Sequence, residues 1–127
     1  MLFPIPKQPA MENKPMPRTN TKMVLVHFTG EGEMDFARIK RQHQEAGLME
    51  MGYHFVIERD GKLLMGRHQS MAGRHYPEFD AVSVGVCVVG KRDDLNERQS
   101  IALTLLLDKL QKDYPELESI KYFYRTE

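Results

Sequence analysis

The sequence predicts an α/β domain built on a single mixed β-sheet flanked by helices. Three observations carry this. Short apolar, β-branched runs stand at residues 23–28 and 81–90, amphipathic stretches follow them, and an Asp-Gly pair separates two further apolar runs. "MVLVHF", residues 23–28, reads as a buried strand. In "MDFARIKRQHQEA", residues 34–46, Phe36, Ile39 and His43 recur about one turn apart, and Gly47 stands as a C-terminal stop. "YHFVIERDGKLLMG" reads as two strands around Asp60-Gly61. "AVSVGVCVVG", residues 81–90, is apolar on both faces and predicts a central strand, in which Gly85 marks close approach by another backbone or a ligand. The last helix is predicted to start near Asn96, with Gln99 completing a capping box. Ile101, Leu103, Leu106, Leu107 and Leu110 form its buried stripe, and Tyr114-Pro115 ends it. "SIKYFY", residues 119–124, predicts a closing strand.

The chain of 127 residues divides into a Pro-rich arm, 1–20, and a domain, 21–127. Pro4, Pro6, Pro9, Pro15 and Pro17 exclude a regular helix or central strand from the arm. It is either a segment packed on the domain through Leu2, Phe3 and Ile5 or a docking peptide. Eighteen basic residues balance eighteen acidic ones, so no overall field attracts nucleic acid or an anionic membrane. Neither a secretory signal nor a membrane-spanning run is present, and a cytoplasmic setting is expected. Cys87, the single cysteine, allows no intrachain disulfide.

The pieces "VHFT", "HQEAG", "GYHFVIERDG", "AGRH" and "SVGVCVVG" stand in one order between Met23 and Leu110. Together they resemble the zinc-dependent N-acetylmuramoyl-L-alanine amidases related to peptidoglycan recognition proteins, and within them the small phage enzymes. One of those phage enzymes also restrains its phage's RNA polymerase. The resemblance implies a phage-encoded protein and a zinc held by two histidines and a cysteine or carboxylate, with water as the fourth ligand. His27, ending the first strand, matches the first ligand. Matching "SIKYFYRTE" to the last strand puts Tyr124 at the second ligand's position, with Phe123 next in line. The sequence runs out at Glu127, ahead of the third ligand and of a catalytic lysine. Tyr53 matches a tyrosine beside the scissile amide, where a phenol can donate to a developing oxyanion. His75 matches a groove position, and Arg67, Arg74 and Asp80 surround that groove.

Other donors are weaker candidates. His43 lies on a helix as an ordinary hydrogen-bonded histidine, and His54 alternates with Tyr53 along a strand. His68 is expected at the surface, and Cys87 as a small buried hydrophobe. A rebuilt site from His27, His75 and Glu127 would require two groups to be re-aimed. Three functions are therefore open. The first is a non-catalytic binding or inhibitory protein, without zinc, acting on a protein such as a polymerase or other host or phage factor, or on a peptidoglycan fragment. The second is an active zinc amidase cleaving the bond between N-acetylmuramic acid and L-alanine. The third is a shortened piece of a longer amidase.

Overall fold

The computed structural model describes residues 16–31 and 33–123. Its elements run β1 (Met23–Phe28), α1 (Phe36–Glu45), β2 (Phe55–Ile57), β3 (Leu63–Met65), β4 (Ser83–Val88), α2 (Glu97–Asp113) and β5 (Ser119–Phe123). The described strands form one sheet in the order β3-β2-β4-β1-β5. Only β2–β3 is antiparallel; β2–β4, β4–β1 and β1–β5 are parallel. This is the mixed sheet predicted. The central position of β4 explains why "SVGVCV" is buried throughout, since a parallel strand covered on both faces has no polar side.

Because side chains alternate along a strand, the register sorts the core into two layers. Val24, Val26, Phe28, Val84, Val86, Val88, Phe55 and Ile57 pack with Leu103, Leu106 and Leu110 of α2. Val56 and Cys87 face the other way, in a cluster with Tyr53, Met51, Met34 and Ile39 of α1. Among the described residues no helix is long and apolar enough to cross a membrane.

Both helices begin where their capping chemistry places them. Asp35 accepts from the Arg38 N–H at 2.9 Å, and Asn96 accepts from the Gln99 N–H at 2.9 Å. Gly47, at φ +98°, follows α1 in the left-handed conformation that stops a helix. Two expectations for α2 need correction. Gln99 does not reach back to complete a capping box: its side chain is buried, donates to the Val89 carbonyl at 2.7 Å and accepts from Arg59 at 2.9 Å. The carbonyl just beyond β4 needs a donor, and that need outweighs the local cap. Ile101 is 53% exposed, so it does not belong to the buried stripe, which runs instead through Gln99, Leu103, Leu106 and Leu110.

The hairpin forms around Asp60, whose carboxylate accepts from the Lys62 N–H at 2.9 Å. Tyr53 and His54, expected on the strand, lie just ahead of it, because β2 starts at Phe55. The described end of the arm is tied down: the Ala72 N–H donates to the Met16 carbonyl at 2.6 Å and the Arg18 N–H to Ser70 at 2.9 Å. Leu2, Phe3 and Ile5 lie outside the described residues.

Candidate functional site

Parallel pairing puts Val56 beside Cys87, Cys87 beside His27, and His27 beside Phe123. Four strands thus present one row of side chains to the same face of the sheet, with His27 inside it. The Phe123 ring stacks on the His27 imidazole, centroids 5.3 Å apart and planes inclined by 17°. Tyr53 packs 5.5 Å from the same imidazole and hydrogen-bonds the Cys87 thiol. Burial raises the pKa of both the phenol and the thiol, so both stay protonated.

His75 reaches this row from the segment between β3 and β4. Asp80 holds that segment, its Oδ1 accepting from the His75 and Tyr76 N–H groups at 3.0 and 2.8 Å. The His75 ring then meets His27, Nδ1 to Nε2, at 3.0 Å. It lies where a side chain on residue 85 would be: a Cβ added to Gly85 would stand 2.5–2.8 Å from three of its ring atoms. The close approach expected at Gly85 is therefore made by a histidine ring. Gly85→Ala is expected to lower stability by about 3 kcal/mol through overpacking, measured by urea denaturation; a loss below about 0.5 kcal/mol would refute the contact.

The hydrogen bonds assign the tautomers. Ser83 donates its hydroxyl proton to the Phe79 carbonyl at 2.7 Å, so at 3.4 Å it can only accept from His75 Nε2. His75 Nδ1 is then the acceptor of the proton on His27 Nε2. His54 accepts the Gly85 N–H at Nδ1 and donates from Nε2 to the Met71 carbonyl at 2.7 Å. His43 accepts the Gly52 N–H at Nδ1, 2.8 Å away. All four buried rings are neutral Nε2–H imidazoles. Burial drives His27 down to about 3, and His43 and His54 down to about 4. His75 is pushed well below the usual range by burial, then by its histidine neighbours. Among the described residues, His27 Nδ1 and His43 Nε2 have no hydrogen-bond partner.

The other expected groove residues have structural attachments. Arg67 is fully buried, donating to the carbonyls of Met51 at 3.0 Å, Ala72 at 3.0 Å and Glu50 at 3.2 Å. That makes it a crosslink between two loops, a role no charge pattern in the sequence signals. Arg74 is half-buried, its N–H donating to Gly52 at 2.9 Å, and its charge acts on Asp80. Burial raises the Asp80 pKa against the pull of its two N–H donors. His68 is exposed, as expected, and His43 is the hydrogen-bonded core histidine expected. Tyr124 and Glu127 lie outside the described residues. Tyr76, which no sequence motif singled out, packs 5.0 Å from Phe123.

Zinc at His27 would need three protein donors converging to about 2.0–2.3 Å. Among the described residues no group of three or more His, Cys, Asp or Glu side chains converges in that way. His27 Nε2 is engaged with His75, and the flat face beside it is a benzyl ring without a lone pair. The described residues do not fit a tetrahedral zinc centre.

A sequence profile of the N-acetylmuramoyl-L-alanine amidases matches residues 17–122. The endolysin of Enterobacteria phage K11 is 35% identical over 109 residues, covering 78% of this chain and 72% of that protein. Among solved structures, the endolysin amidase LysCS of Clostridium intestinale URNW superposes with a TM-score of 0.80 at 24% identity, over 94% of this chain and 81% of that one. A complex of peptidoglycan recognition proteins LCa and LCx bound to tracheal cytotoxin superposes with a TM-score of 0.73 at 22% identity, over 90% and 77%. Sequence profile, relatives and fold agree: this chain belongs to the N-acetylmuramoyl-L-alanine amidase family.

Proposed function

We propose that this protein is a non-catalytic binding protein on an amidase scaffold, acting on a muropeptide or on a protein such as a polymerase or another host or phage factor. The observation that supports this most is the Phe123 ring stacked on His27. An aromatic hydrocarbon cannot donate to a metal, and it fills space beside the one imidazole matching a ligand position. The His27–His75 hydrogen bond supports it further, because it keeps a proton on His27 Nε2, so that nitrogen offers a metal no lone pair and Nδ1 alone could serve. Without a metal there is no low-pKa water and no Lewis acid for Tyr53 to assist. Each of those supplies several kcal/mol of barrier lowering.

The purified protein is expected to carry zinc far below one atom per chain by elemental analysis, and to release no stem peptide from cell-wall sacculi even with zinc added. Equimolar zinc, or peptide release abolished by chelator, would overturn the reading. The endolysin relative favours a second reading, an active amidase cleaving the bond between N-acetylmuramic acid and L-alanine. That reading requires peptide release to be lost in His27→Ala.

A further inference from the structure

We propose that a hollow between α1 and the end of β3 binds a soft monovalent cation of the Cu(I) class through the thioether sulfurs of Met49, Met51 and Met65. The hollow measures about 370 Å³, and all three side chains line it. Met51 forms the floor: it is 2% exposed, and its sulfur lies against Gly66, where an added Cβ would stand 2.9 Å from it. Met49 and Met65 stand at the rim, 51% and 56% exposed. The site is separate from His27 and does not depend on how His27 is used.

The lining selects the ligand. Among the described residues no Leu, Ile or Val lines this hollow; its apolar side chains are the three methionines and Phe36. Thioethers are neutral, polarisable donors that suit Cu(I), whereas harder divalent ions take imidazole, carboxylate or carbonyl groups. The face of the Phe36 ring adds attraction for a cation. Glu50 and Lys40 line the hollow with opposite charges, so it offers a single carboxylate and no cage for a hard ion. The backbones that carry the sulfurs are held together. Arg67, two residues beyond Met65, donates to the Glu50 and Met51 carbonyls at 3.2 and 3.0 Å, and the Gly66 N–H donates to His54 at 2.9 Å. One buried side chain therefore sets the spacing between the loop bearing Met49 and Met51 and the strand end bearing Met65. Methionine has three rotatable side-chain bonds, so the two rim sulfurs can close on an ion seated against the floor.

The probe is Ag(I), added as the nitrate in chloride-free buffer, with isotope-labelled methionine methyls followed by NMR. One equivalent is expected to shift the methyls of Met49, Met51 and Met65 and to leave the rest of the chain's nine methionines in place. Zn(II) should move none of them. Met49→Leu with Met65→Leu changes two exposed side chains at nearly constant volume; it should weaken Ag(I) binding about tenfold or more and abolish the shift at Met51. Silver taken up by Cys87 or His68 instead would leave the three methyls unmoved and overturn the assignment. So would shifts spread evenly over all the methionines, or a double variant that binds as tightly as the original chain.

Discussion

Taking the protein from pH 7 to pH 5 is expected to remove most of its stability. A histidine whose folded pKa is depressed contributes stability that is present above its unfolded value of about 6.5 and is lost as pH falls towards the folded value. His27 lies at about 3, His43 and His54 at about 4, and His75 well below 6.5, so the window is pH 6.5 down to about 3. At pH 5 the His27, His43 and His54 rings each cost about 2 kcal/mol, because the unfolded chain is protonated there and the folded one is not. These three together cost about 6 kcal/mol and His75 adds in the same direction, comparable with the roughly 5–15 kcal/mol that stabilises a whole domain. Asp80 acts in the opposite sense: its raised pKa lets the folded state take up a proton earlier, a partial offset at the acid end. The urea midpoint measured at pH 7, 6 and 5 should fall steeply and continuously. A midpoint unchanged to pH 5 would show that the rings are not buried neutral as described.

Replacing Arg67 by alanine is the single substitution with the largest expected cost, about 3–5 kcal/mol. Its guanidinium is fully buried and satisfies carbonyls at Glu50, Met51 and Ala72, which would be left without donors. Arg67→Lys should recover little, since one ammonium on a flexible stem cannot span three carbonyls in a planar fork. Thermal unfolding of both variants checks this. If Arg67→Ala stays within about 1 kcal/mol of wild type, the crosslink is not what holds these loops.

The strands and helices were legible because their signals are local. A β-branched run, an Asn or Asp cap and a glycine stop act within a few residues of themselves, and Asp35, Asn96 and Gly47 act where the sequence places them. The misread residues are those where a distant group competes with the local rule. Gln99 left its cap for the carbonyl of Val89, and Ile101 sits one step outside the stripe set by how α2 lies on the sheet. The site was less legible for the same reason. His27 is conspicuous in the sequence, but nothing near it says that Phe123 will be its neighbour.

By itself, the sequence determined the α/β class, the element order and the family, because periodicity, caps and ordered motifs are written along the chain. Only the tertiary structure decided what surrounds His27. Strand order and register bring residues 87 and 123 beside one imidazole, and the segments ahead of β2 and β4 bring residues 53 and 75 to it. Whether a buried nitrogen meets a proton donor, a lone pair or a hydrocarbon ring depends on those pairings, which are contacts across the chain and not along it.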